Sequence, residues 1–240
     1  MKNNQNNIEE LKKLCKKYED GIYRSKTGLD YKKALEEIFI LANKNDKPFT
    51  LEDVKEQPEL KDFKFEGIRD FQYICKLKIK PLEIVNDIVT NEKILAFDFV
   101  NKETENVFKK SLGAVYMITC VSDGKEHIIK FGQTRTTFKE RLNSYNCGTV
   151  TYWRTASTTN IKIVQSMITT YTTQTAYKLY IYDCSDDFYS FNWHGVESKK
   201  VATPKSIAAE DIIIKKFVKA FSKKPLANVH ANATAKKENI

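Results

Sequence analysis

Apolar residues recur at three-and-four spacing through much of the first hundred residues. NIEELKKLCKKYED, YKKALEEIFILANK and LEDVKEQ each lay such residues along one helical face, and strand-like alternation is scarce among them. The pattern predicts a compact, mainly helical domain over residues 1–108. Within it, ALEEIFILANKNDKPFTLEDVKE followed by FEGIRDFQYICKLK reads as three short helices, with Thr50 as an N-cap and Asp53 at the capping-box spacing. Three successive helices outline either a helix-turn-helix or an ordinary bundle, so DNA recognition and a purely structural role both stand for this half. The polar run NKETENVFKKS, residues 101–111, marks the domain boundary, and the pattern then changes. GAVYMITCV and EHIIKFG are apolar, β-branched and aromatic, and Asp123-Gly124 between them makes a turn, so they read as a β-hairpin. A helix follows from Thr137 to about Asn146, and a second begins at Asn160. TAYKLYIYDC reads as a strand and SIAAEDIIIKKFVKAF as a last helix. The expected fold class is α+β, a small sheet flanked by helices over residues 109–240, preceded by the helical domain.

Composition adds order, compartment and partner to this outline. With 41% hydrophobic residues and only 8 Gly and 5 Pro in 240, the chain can bury a core. The polar start MKNNQNN lacks the apolar region of a signal peptide, and no apolar run is long enough to span a bilayer, so a cytoplasmic protein is expected. Cys15, Cys75, Cys120, Cys147 and Cys184 form no C-x-x-C pair and read as small buried apolar residues rather than a disulfide framework or zinc site. Charge is unevenly placed. Residues 1–110 hold 22 Lys+Arg against 21 Asp+Glu, and residues 111–240 hold 18 against 10, so the second half carries +8 of the net +9. A basic domain suits a polyanion, of which nucleic acid is the commonest, although charge says nothing of sequence or chemistry.

Polar groups break the apolar period of the second half at three places. In the helix at 137, Thr137 and Glu140 have capping-box spacing, Phe138, Leu142 and Tyr145 make one face, and Arg141 sits on that face. An arginine there needs an anion or a rim along which to lay its stem. In the last helix Glu210 precedes Ile213, Ile214 and Phe217 on an apolar face; an ionised carboxylate in such a place calls for a basic side chain or a hard metal. In the hairpin, Lys130 stands between Ile129 and Phe131, and Tyr116 lies in the middle of the partner strand. His127, His194 and His230 read as surface or structural residues.

In order and spacing, Ala114-Val115-Tyr116, Lys130-Phe131-Gly132 with Gln133-Thr134, Arg141-Leu142 with Tyr145, and Glu210 ahead of Pro225 and Asn228 resemble the catalytic set of the GIY-YIG nucleases. The resemblance covers roughly half of the chain, and each motif is weak until the series is taken together. The tripeptide Gly21-Ile22-Tyr23 is a decoy, since no second element follows it at hairpin distance. Lys130 replaces the family's usual second tyrosine, as in a restriction-endonuclease branch.

The resemblance implies Mg²⁺-dependent hydrolysis of a DNA phosphodiester, with Mn²⁺ as an alternative cation. Arg141 would face the scissile phosphate, Glu210 would hold the metal, and Tyr116 and Lys130 would take the proton from water in one order or the other. Tyr145 would bind the phosphate or hold Arg141, Gln133 and Arg135 would contact DNA, and Asn228 would contact DNA or order the end of the site. A type II-like restriction enzyme acting on double-stranded DNA as a homodimer leads, with a cognate methyltransferase as a further partner. The aromatic loop DDFYSFNWHG would then shape specificity. A homing or structure-selective nuclease, and a DNA-binding protein without catalysis, remain as alternatives.

Overall fold

The structure is a computed structural model that describes residues 49–63, 71–79, 83–85, 88–91, 95–146, 163–164, 166–167, 170–184, 188–202 and 205–228. Its described elements are helix α1 (Leu51–Lys55), strands β1 (Gln72–Ile79), β2 (Glu83–Val85), β3 (Ile88–Asn91) and β4 (Leu95–Phe99), and helix α2 (Lys102–Lys110). Then come the long strands β5 (Leu112–Ser122) and β6 (Lys125–Thr137), helix α3 (Phe138–Asn143), and strand β7 (Thr175–Asp183). The short strands β8 (Phe188–Tyr189), β9 (Asn192–Trp193), β10 (Val196–Glu197) and β11 (Val201–Ala202) precede helix α4 (Lys205–Phe221). No described helix is long and apolar enough to cross a membrane.

The expected α+β class holds, with five strands in the order β4-β1-β7-β5-β6. The expected hairpin forms one end of this sheet, with β6 at the edge and β7 in the middle. β5 and β6 pair antiparallel across Asp123 and Gly124, whose φ values of 52° and 73° are those that a tight two-residue hairpin turn requires. β7 pairs antiparallel with β5 on the other side, from Ala114 opposite Asp183 to Ser122 opposite Thr175. Val115, Met117, Ile128 and Phe131 of β5 and β6 pack with Phe63 and with Ile213 and Phe217 of α4 in one core cluster. Ile128 and Phe131 reach the same face at odd spacing because the register slips between Ile118, which faces Lys130, and Thr119, which faces Ile128. Ile129 is the extra residue of this bulge, and a bulge re-aims the side chains that follow it.

The outer edge of β6 is covered from His127 to Phe131. Pro58 O accepts from Ile128 N at 3.1 Å, and Ala227 N donates to Ile129 O at 2.7 Å. The Asn228 side chain continues the ladder: Oδ1 accepts from Phe131 N at 2.9 Å and Nδ2 donates to Phe131 O at 2.8 Å. A side-chain amide here does what a neighbouring strand would, and closes an edge that would otherwise be open to pairing.

Three expectations for the first half change. FEGIRDFQYICKLK is not helical where it is described; β1 occupies Gln72–Ile79 and pairs antiparallel with β7 from Gln72 opposite Ile181 to Leu77 opposite Tyr177. The signal was the alternation Cys75-Lys76-Leu77-Lys78, in which the two apolar residues are buried and the two lysines exposed. The run at 101–111, expected as the domain boundary, holds helix α2, started by a reciprocal capping box between Asn101 and Thr104 and docked through Phe108. Finally, β1 and β4 join the same sheet as β5–β7, so the sheet crosses the expected boundary at residue 108. Pairing between strands distant in sequence leaves no mark on local composition.

By contacts the chain forms two compact units, each drawn from separate stretches: residues 1–50, 78–96 and 142–171 in the first, and 51–77, 97–141 and 172–240 in the second. In the first unit, Ile163, Val164, Ser166, Met167 and Thr170 are helical, in line with the helix expected from Asn160, and Phe49 N donates to Ser166 Oγ at 3.1 Å. The two leading amphipathic stretches and Gly21-Ile22-Tyr23 lie outside the described residues. α1 falls within LEDVKEQ, as expected. Cys75, Cys120 and Cys184 are buried free thiols, and burial pushes the Cys120 thiol up to about 11. Cys15 and Cys147 are not among the described residues.

Candidate active site

Tyr116 lies at the middle of β5 and is fully buried. Its ladder partner is Gly132, and the fit between them is tight: a Cβ built on Gly132 would lie 2.2 Å from Tyr116 Cζ and 2.3 Å from its hydroxyl oxygen. Any side chain at 132 would drive the ring out of its place. The ring is held from another direction by Phe138, whose centroid is 5.4 Å away at 78°, an edge-to-face contact. Phe138 in turn meets Phe108 of α2 at 5.6 Å.

Phe138 also fixes the start of α3. The strand β6 runs directly into this helix, and Thr137 Oγ1 accepts from Glu140 N at 3.2 Å, half of the capping box expected from the sequence. With its first residue docked on Tyr116, the helix carries Arg141 one turn further on, on the same side. Tyr145 is buried in the 3₁₀ turn Ser144–Asn146 that follows, in the first unit, whereas Arg141 belongs to the second.

Lys130 stands two residues before Gly132 on the same face of β6, only 7% exposed. Its ammonium donates to Ala227 O at 3.3 Å. Burial pushes its pKa below the ordinary 10.5, and the neighbouring Arg141 pushes the same way, while Tyr116 and Glu210 oppose them. Lys130 thus feels three of the other residues singled out in the sequence, one each from β5, α3 and α4. Glu210 is 8% exposed, on the α4 face that also buries Ser206, Ile213 and Phe217. Asp211 leans away and pairs with Lys215 at 2.9 Å.

The remaining sequence candidates fall as follows. Gln133 is half-buried in β6, its Oε1 without a hydrogen-bond partner, and Arg135 is exposed beyond it. Asn228 is engaged with the Phe131 backbone, so it braces the strand between Lys130 and Gly132 instead of offering its amide outward. His127 is buried with Nδ1 2.7 Å from Gln57 O, a structural role as expected. Sequence reasoning missed the steric duty of Gly132 and the carbonyl of Ala227. Gly132 could have been found from its place in the hairpin opposite a large ring; Ala227, acting through its backbone, left no side-chain signal.

The described residues contain no cluster of three or more His, Cys, Asp or Glu able to hold a metal ion by themselves. Among Tyr116, Lys130, Arg141 and Glu210, the last alone offers a hard oxygen donor. Such a donor fits Mg²⁺ or Mn²⁺ when phosphate oxygens and water complete the shell.

Two outcomes test this arrangement. Gly132→Ala should cost about 1–3 kcal/mol in urea unfolding, as overpacking does, and Tyr116→Ala should absorb much of that cost, so the double variant is less destabilised than the two single changes added together. Strict additivity would mean that the ring does not fill the space over Gly132. For Lys130, a folded-state pKa below the unfolded one means that the fold disfavours the ammonium. Wild-type stability therefore rises as pH climbs from the folded value towards 10.5 and is lowest below that window. Lys130→Met should melt above wild type at pH 7 and lose that advantage as pH approaches 10.5; a pH-independent difference would contradict it.

No protein-family profile matches the chain, and no curated protein matches it significantly. Among solved structures, one described as restriction endonuclease HPY188I in complex with product DNA is similar, at 27% sequence identity and a TM-score of 0.46. The alignment covers 77% of this chain and 94% of that one. The likeness of the two backbones is partial, and the functional reading rests on the side chains.

Proposed function

We propose that the protein is a divalent-cation-dependent DNA endonuclease of the GIY-YIG type, in the restriction-enzyme branch, cutting double-stranded DNA at a short site. The observation that carries this is that buried Lys130 on β6 feels the charges of Tyr116 on β5, Arg141 on α3 and Glu210 on α4, with Tyr116 and Glu210 themselves buried and Arg141 partly exposed. A proton acceptor, a fixed guanidinium and a hard carboxylate together are what phosphodiester hydrolysis requires.

In the reaction a water oxygen bonds to phosphorus while a proton leaves it, and the bond from phosphorus to the leaving sugar oxygen breaks. The proton goes to the Tyr116–Lys130 pair. Burial favours the neutral amine of Lys130, which suits it to accept the proton, and the Tyr116 hydroxyl would relay it from the water. Arg141 offers a planar fork to the non-bridging oxygens, on which charge builds in the transition state. A cation held by Glu210 would supply positive charge to the leaving oxygen, which takes a proton from solvent. The +8 charge of residues 111–240 favours the approach of the polyanion. Two copies acting on a symmetric site would cut both strands.

The test is incubation of purified protein with unmethylated phage DNA, with and without Mg²⁺, and sequencing of the ends. Wild type should release discrete fragments that share one short terminal sequence, only with the cation present. Arg141→Ala and Glu210→Ala should each cut at least about 100-fold more slowly while still folding, the scale on which loss of one transition-state contact is felt. Unimpaired cutting by either variant would remove that residue from the site.

A further inference from the structure

Between β7 and α4 the chain makes a narrow antiparallel ribbon. β8 pairs with β11, and β9 with β10. The tip is His194-Gly195, with φ values of 51° and 79°, so the ribbon closes in a tight turn of the kind that matches strand twist. Cross-links stiffen it: Ser198 N donates to Phe191 O at 2.8 Å, Ser198 Oγ accepts from Phe191 N at 3.0 Å, Ser190 Oγ meets Glu197 Oε1 at 2.8 Å, and Asn192 Oδ1 accepts from Gly195 N at 3.0 Å. A two-stranded ribbon in water is marginal on its own, so bracing to this extent points to a shape that is put to use.

What the ribbon presents is apolar. Tyr189 is 49% exposed, Phe191 50% and Val196 70%, half of the large hydrophobic residues exposed among those described. By alternation, and by the pairing of Val196 with residue 193, all three fall on one face, and the Tyr189 and Phe191 rings lie 6.5 Å apart. The hydrogen-bonded Ser190 and Glu197 fall on the other. Lys199, Lys200 and Lys205 on the second strand and its root are exposed, with Glu197 on the same strand and Asp186 and Asp187 preceding the first. The same root runs into α4, which carries Glu210.

We infer that this ribbon is the element with which the protein reads duplex DNA: it enters the major groove, sets Tyr189, Phe191 and Val196 against base edges and thymine methyl groups, and grips the flanking phosphates with Lys199 and Lys200. The inference rests on the nuclease reading for the identity of the partner. The major groove admits a two-stranded ribbon, and apolar side chains there distinguish thymine by its methyl group. Lysines at the root match the backbone in charge, and an exposed apolar face rimmed by cations is the complement of a groove walled by phosphates.

The test uses the full chain and a pool of randomised duplexes, bound without divalent cation, captured and sequenced, so that it reads recognition whether or not the protein cuts. Phe191→Ser/Val196→Ser, whose melting should match wild type because both residues are exposed, should lose the enriched sequence and bind the wild-type winner roughly tenfold or more weakly. Lys199→Ala/Lys200→Ala should keep the enriched sequence, weaken binding to every duplex alike and show a shallower salt dependence. Replacing thymine by uracil in the winning duplex should reproduce part of the first loss. Unchanged enrichment and affinity in Phe191→Ser/Val196→Ser, or no duplex binding by wild type, overturns the inference. If wild type binds selectively but never cuts with Mg²⁺, the nuclease reading fails and the ribbon's role survives.

Discussion

The whole site depends on one close approach, the Tyr116 ring lying over the backbone of Gly132 across the β5–β6 ladder. That contact is allowed only in one register, because a slip of one residue would put Phe131 under the ring and send Tyr116 to the opposite face of the sheet. The same register sets Lys130 opposite Ile118, on the face that Tyr116 uses, while Val115, Met117 and Phe131 point into the core beneath α4. The bulge at Ile129 reconciles these demands. Without it Ile128 and Lys130 would share a face, and either an aliphatic residue would leave the core or a lysine would enter it.

Around this register each further residue is fixed by packing rather than by loop geometry. The edge-to-face contact with Tyr116 holds Phe138, and Phe138 sets the phase of the helix that carries Arg141. Ile213 and Phe217 hold α4 against the sheet one and two turns after Glu210. Asn228 and Ala227 close the β6 edge and give the Lys130 ammonium its carbonyl. Arg141 and Glu210 are therefore carried on helices anchored by packing, and such support is what a preorganised site requires.

Much of this was legible in the sequence, for identifiable reasons. Asp123-Gly124 between two apolar runs announces a hairpin because few residues accept positive φ in succession, and the polar intruders Arg141, Lys130 and Glu210 stand out against strict local periods. The first half was less legible. Cys75-Lys76-Leu77-Lys78 alternates over too few residues to outweigh the helical pattern on either side, and its strand exists only because β7 lies beside it. Helix α2 was hidden for a different reason: its single strong anchor, Phe108, is surrounded by charge and reads as a domain boundary until a partner surface is known.

The central claim is that Tyr116, Lys130, Arg141 and Glu210 act on one phosphodiester, and the most direct measurement is a crystal structure of the wild-type protein with a duplex of its own site and Ca²⁺ in place of Mg²⁺. One phosphate of each strand should lie within hydrogen-bonding distance of the Arg141 guanidinium, with a Ca²⁺ ion bridging that phosphate and the Glu210 carboxylate and a water between phosphorus and the Tyr116 hydroxyl. A duplex bound with every phosphate remote from this cluster, or Glu210 paired with Lys130 alone while the cation sits elsewhere, would contradict it.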